Sequence, residues 1–193
     1  MPWDKQFKTA DVLDKAMHAF WARGYEATSM GDLVGAMGIN RASIYATFGN
    51  KRSLFIGALK HYDASHRHRF LARLRSWKSP KSAIVGAFEE VISSVLDGGR
   101  RDGCLLVNTA LELSPHDPEI GEIVRESLSE VELFFRDMVE RGQSAQEIPL
   151  RLDAGEAARA LLGLFVGLRV LSRSRPEPDL LRGIARQADA LIS

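Results

Sequence analysis

Arg41, Ala42, Ser43, Ala46 and Thr47 fall within the short stretch Arg41-Ala42-Ser43-Ile44-Tyr45-Ala46-Thr47-Phe48. Side chains of these kinds suit close approach to a nucleic acid. A guanidinium can pair bidentately with a guanine edge, and an alanine or threonine methyl can pack against a thymine methyl. Ile44, Tyr45 and Phe48 remain as apolar anchors that would hold the stretch to the protein. Catalytic chemistry has no comparable signature. Gly-x-Gly-x-x-Gly, the phosphate loop, Gly-x-Ser-x-Gly, His-Glu-x-x-His and Cys-x-x-Cys are all missing from the sequence. His61, His66 and His68 are spaced five and two apart, which makes no pair of ligands on one helical face. The expectation is therefore no enzyme, no metal and no cofactor.

The elements that must position this stretch are helical. Val12, Ala16, Ala19 and Phe20 recur at helical spacing, and Gly24 ends that run. Ser29, with Asp32 three residues on, offers a capping box for a second helix carrying Met30, Leu33, Val34 and Met37. Gly38 stops the second helix, Asn40 caps a short third, and Asn50 caps a long fourth that runs to Trp77. Two short helices meeting at Met37-Gly38-Ile39-Asn40 make a helix-turn-helix, in which the first braces the second and turns its outer face toward the major groove. Ser79-Pro80, Gly98-Gly99, Ser114-Pro115, Gly142 and Pro176-Glu177-Pro178 punctuate the rest into helices near 81–97, 103–113, 118–141, 153–173 and 178–192. No alternating strand pattern occurs. The fold class is all-α, with an N-terminal three-helix DNA-binding domain over 1–52 and a helical effector-binding and dimerisation domain over 53–193.

Charge divides along the same lines. Residues 1–78 hold 13 Lys and Arg against 6 Asp and Glu, and residues 79–193 hold 13 against 19, so a net charge of +1 hides a basic front and an acidic remainder. The front half suits either a polyanionic partner or a solvated basic face. The cluster His61, His66, Arg67, His68, Arg69, Arg73 and Arg75 reads as such a solvated face, adding only long-range, salt-screened attraction. Cys104 is the single cysteine, so no internal disulfide framework exists and a reducing cytoplasm is the expected compartment. Met-Pro-Trp-Asp-Lys-Gln lacks the apolar region of a secretory signal, and the longest apolar stretch, 157–171, is too short to span a membrane.

Residues 9–59 resemble the DNA-binding domain of the TetR/AcrR family of transcriptional regulators. The likeness is carried by Ala19-Phe20, by Gly24-Tyr25-Glu26-Ala27-Thr28-Ser29, and by the run from Asp32 to Ile39. It continues through Arg41-Ala42-Ser43-Ile44-Tyr45-Ala46-Thr47-Phe48-Gly49-Asn50-Lys51 to Leu54. The resemblance implies that Thr28, Tyr45 and Lys51 hold phosphates, while Arg41, Ser43, Ala46 and Thr47 face base edges or adjacent phosphates; backbone contacts set register and base contacts carry sequence information. Tyr45 could equally be a packing residue, and Ser43 a local cap. Positions 46 and 47, often bulkier in the family, are small here, which shifts base reading toward Arg41. The implied partners are double-stranded operator DNA, a second copy of the chain and an unidentified small-molecule effector. Repression is the commoner behaviour in the family, and the alternatives outside it are a helical interaction protein without DNA binding and, behind that, an enzyme.

The helix near 153–173 is apolar almost all round, so it must bury a second face somewhere. Together with the last helix it suggests a two-fold, four-helix dimer contact drawing on Leu161, Leu164, Phe165, Leu168, Leu181 and Ile184. Gly163 and Gly167, four apart, either permit close helix approach or merely adjust packing. Cys104 lies at the start of a helix after Arg100-Arg101, a setting that favours a reactive thiolate. It is read either as an oxidant or electrophile sensor or as a small buried residue. Asn108, one turn on, either lines an effector pocket or bonds internally.

Overall fold

The computed structural model describes residues 8–99 and 102–193, which form ten α-helices and one π-helical segment with no strand among the described residues. Arg100-Arg101, invoked beside Cys104, lie outside the described residues. Helix α1 spans Thr9–Arg23, α2 Met30–Met37, α3 Arg41–Phe48 and α4 Lys51–Tyr62. After the π-helical segment Asp63–Arg67 come α5 His68–Arg75, α6 Pro80–Leu96 and α7 Leu105–Glu112, followed by α8 Pro118–Ser144, α9 Ala154–Ser174 and α10 Pro178–Leu191.

The local signals for these boundaries act as expected. Ser29 Oγ accepts from the Asp32 amide while the Asp32 carboxylate accepts from the Ser29 amide, a complete capping box. Asn40 and Asn50 each accept from the amide three residues on. Gly38 takes φ 70° and ψ 24°, a left-handed backbone that carries no steric penalty in glycine.

The long fourth helix does not run unbroken to Trp77. The π-helical turn at Asp63–Arg67 interrupts it, within the basic run. Arg67 is buried rather than solvated: its guanidinium grips both carboxylate oxygens of Asp63 and reaches Glu130 on α8 at 2.8 Å. A buried guanidinium needs partners of this kind, and the four-residue spacing already places Asp63 and Arg67 side by side on the helix surface. His66 is also withdrawn from water, and burial is the main cause that lowers its pKa below that of an ordinary histidine.

Apolar side chains gather into two clusters. One fills the space among α5, α6, α8, α9 and α10 around Phe88, Phe134, Phe135 and Leu161. The other joins α1–α4 around Phe20, Leu33, Ile44 and Phe55, and it also takes in Leu105 and Leu106 from α7, Leu113 just after it, and Ile120 and Val124 from α8. The helices nearest the N-terminus thus share a core with elements well downstream in the chain.

Candidate functional site

Helix α3 is held by few contacts. Ile44 is its single fully buried residue, with Phe48 packing partly against the same cluster. The direction opposite Ile44 is occupied by Ala42 and Ala46, both exposed. Arg41 and Tyr45 flank this strip on one side, Ser43 and Thr47 on the other. Small residues at the centre leave the helix backbone free to approach a groove floor closely, while longer side chains stand at the edge. Tyr45 is not an inward anchor. It is 40% exposed, and its hydroxyl accepts from Arg41 Nη2 at 3.4 Å, with the guanidinium carbon 5.7 Å from the ring centroid. Ile44 and Phe48 already fill the inward direction, so Tyr45 and Arg41 form a paired edge.

Thr28 departs from its expected role. It is fully buried, and its hydroxyl donates to the Gly24 carbonyl at 2.5 Å, so it braces the turn between α1 and α2 and is not free to donate to a phosphate. Lys51, at the first position of α4, holds its ammonium 4.3 Å from the centroid of the Tyr25 ring. The ring steers the cation without neutralising it. Arg41, Ser43, Ala46, Thr47 and Lys51 therefore lie within one short helix and the start of the next, at positions suited to a groove and its bordering phosphates.

Three carboxylates tie this surface to the rest of the chain. Glu112, closing α7, accepts from the backbone amides of Tyr25 at 3.1 Å and Glu26 at 2.9 Å. Gly24 makes room for that carboxylate: it has φ 85°, and a Cβ there would lie 2.9 Å from a Glu112 oxygen. Arg52, beside Lys51, forks onto Asp117 at 2.6 and 2.9 Å and also reaches Glu119 at 2.8 Å. Asp117 is at the same time the N-cap of α8. The fork and the capped amide together hold its carboxyl pKa at about 2, so the clamp stays charged through any neutral pH. The sequence pattern shows Ser114-Pro115 only as punctuation before a helix near 118–141. The cap is readable locally, but its partner Arg52 is 65 residues away.

Between the two clusters lies a cavity of about 520 Å³. On its wall Tyr62, closing α4, lies against Cys104 with its hydroxyl donating to Sγ at 3.4 Å, and Arg169 of α9 also lines the space. Cys104 is the N-cap of α7 and half-buried. Asn108 does not line the cavity; its side-chain amide donates to the Asp102 carbonyl at 2.9 Å, the internal bond of the two roles considered. No group of three or more His, Cys, Asp or Glu could hold a metal among the described residues.

The expected contact face on α9 and α10 needs correction. Leu161, Phe165, Leu168 and Leu181 are buried in the chain's own core and unavailable to a partner, whereas Leu164 and Ile184 are only partly covered. A Cβ built at Gly163 or Gly167 meets nothing within 4 Å, so this side of α9 is open. No helix among the described residues is long and apolar enough to cross a membrane.

Comparison with known proteins agrees with this geometry. The family model described as "Bacterial regulatory proteins, tetR family" matches residues 12–58, and one described as "Tetracyclin repressor-like, C-terminal domain" matches residues 80–188. The chain is 36% identical over 145 residues to the uncharacterised HTH-type transcriptional regulator YezE of Bacillus subtilis, covering 75% of each protein. It is 31% identical to the HTH-type transcriptional repressor ComR of Escherichia coli, covering 94% of this chain and 87% of ComR. The solved structure of a cysteine mutant of the regulator CifR, in complex with a 26-base-pair operator duplex, superposes with a TM-score of 0.84 at 27% identity over 98% of both chains.

Proposed function

Because this chain belongs to the TetR family of bacterial DNA-binding transcriptional regulators, we propose that it represses transcription by seating α3 in the major groove of a palindromic operator. Arg41 reads a base edge, Ala46 and Thr47 pack against the groove, and Ser43, Tyr45 and Lys51 hold the bordering backbone. The observation that carries this reading is the arrangement of α3 itself, with Ile44 its only fully buried residue and Ala42 and Ala46 exposed between two polar edges. The repressor ComR, similar over nearly its whole length, supports the sign of regulation. The cytoplasm, where the DNA is, is the proposed compartment.

Two copies pair through the open side of α9 and the neighbouring face of α10, with Gly163, Leu164, Gly167 and Ile184 at the contact. Pairing sets two α3 helices about 34–36 Å apart, or a multiple of that, to match successive turns of one groove face. A small-molecule effector occupies the cavity beside Tyr62. Helix α4 carries Tyr62 at one end and Lys51 at the other, so a shift imposed at the cavity is delivered next to the DNA. Release requires the effector to prefer the state in which the two α3 helices are mis-spaced.

Arg41→Ala and Lys51→Ala separate the two kinds of contact. In fluorescence anisotropy with the duplex upstream of the gene and single-base variants of it, R41A is expected to lose discrimination at one position, a change of about 1–3 kcal/mol. K51A is expected to weaken all sequences alike and to lower the salt slope by about one phosphate contact. Equal loss of discrimination from both would overturn these assignments.

A further inference from the structure

The cavity wall carries a half-buried cation, Arg169, with no acid paired to it among the described residues. Arg169 places its guanidinium carbon 5.1 Å from the Phe165 ring centroid and 5.7 Å from that of Phe70. Its Nε is buried and makes no hydrogen bond, and no carboxylate pairs with it among the described residues. Glu90 is the single acid on the cavity wall, and it is already ion-paired with Arg73. Arg67, on the same wall, is satisfied by Asp63 and Glu130. Arg69 is exposed, so it adds positive potential from outside. A guanidinium N–H taken out of water without an acceptor is costly, and two aromatic faces replace only part of its hydration.

The neighbouring polar group is suited to the same visitor. Tyr62 is buried, which pushes its pKa up and keeps the phenol protonated as a donor. Its present acceptor is the Cys104 sulfur, a weak one that a better acceptor would displace. Much of the remaining wall is apolar, with Leu106, Val131, Leu162 and Val166 facing the space, and Ser65, His66, Ser94 and Ser127 are its other polar members. A volume of about 520 Å³ is in the range of sites for small organic molecules.

We propose that the effector cavity takes an organic monocarboxylate with an apolar, ring-sized body, its carboxylate on the Arg169 guanidinium and the Tyr62 hydroxyl, its body against Leu106, Val131, Leu162 and Val166. One interior guanidinium matches one negative charge, which disfavours phosphate esters. The proposal rests on the reading of this cavity as the effector site.

Isothermal titration calorimetry of the full chain tests it with benzoate, 4-phenylbutanoate and octanoate, each beside its neutral primary amide. At least one acid is expected to bind, and to bind about tenfold or more tighter than its amide. Arg169→Gln is expected to erase that preference without weakening the amide, and Arg169→Lys to keep part of it. Equal affinity for acid and amide, no binding by any of the three acids, or a preference that survives R169Q would each overturn the proposal. Should R169Q fail to fold, the acid and amide pair on the unaltered protein still decides. Duplex binding measured on the same preparation separates the two readings. A chain that binds its operator but ignores the acids loses only this inference, and one that prefers acids but ignores duplex DNA loses the regulator reading.

Discussion

Gly167→Glu is expected to leave each chain folded while splitting the pair and removing operator binding. The glycine lies on the open side of α9, where an added Cβ meets nothing within 4 Å, so the chain's own packing has no quarrel with a larger side chain. The opposite side of the helix, with Leu161, Phe165 and Leu168, is untouched in the core. In a two-fold contact the substitution acts twice and places two carboxylates near each other in a space closed to water, which costs both desolvation and repulsion. A lone chain engages one half-site, and losing the linked second site lowers operator affinity by about a hundredfold or more. Sedimentation should show a monomer with unchanged far-ultraviolet circular dichroism. A dimer that persists with undiminished operator affinity would place the contact elsewhere.

Ile44→Ala should produce the other large effect, in the opposite half of the molecule. Ile44 is completely buried and is the residue through which α3 is fixed to Phe20, Leu33 and their neighbours. Truncating a buried isoleucine costs about 2–5 kcal/mol, a large share of the roughly 5–15 kcal/mol that holds a typical domain together. Since α3 has so few other anchors, the loss falls first on the helix that would touch DNA. Chemical denaturation should show an earlier transition for the N-terminal cluster, with the cluster around Phe88 and Phe135 retained, and operator binding should fall even where most helicity remains. An unaltered midpoint would mean that α3 is held by something other than this side chain.

The parts of the fold that the sequence discloses are those decided within a turn or two of helix. Ser29 with Asp32, Asn40 with Ser43, and Asn50 with Ser53 each close a bond over three residues, so spacing alone reveals them. Gly38 declares its turn through the backbone freedom it alone has. Choices between competing partners are a different matter. The Thr28 hydroxyl could have served a phosphate, and only the approach of the Gly24 carbonyl shows it committed. Tyr45 fits an inward or an edge position until Ile44 and Phe48 are seen to fill the interior. On α9 both sides are apolar, so periodicity could not say which side belongs to the chain's own core, and four of the six expected contact residues proved internal. The clamps from Arg52 to Asp117 and from Glu112 to the turn before α2 join residues 65 and 86 or more apart, beyond the reach of any local pattern. Arg169 meets Phe165 one turn back on its own helix, a contact within local reach, whereas its place beside Phe70 of α5 joins residues 99 apart.

The central claim is that the outer face of α3, with Lys51 beside it, engages duplex DNA. It is tested most directly by titrating the full chain with the duplex upstream of its gene, and with a scrambled duplex of equal composition, over a range of salt. The account predicts that log affinity falls linearly with log salt as phosphate contacts release counterions. It also predicts that the upstream duplex is preferred by about 10³-fold or more at physiological salt. A chain that ignores both duplexes at low salt, or binds them equally at every salt concentration, would contradict it.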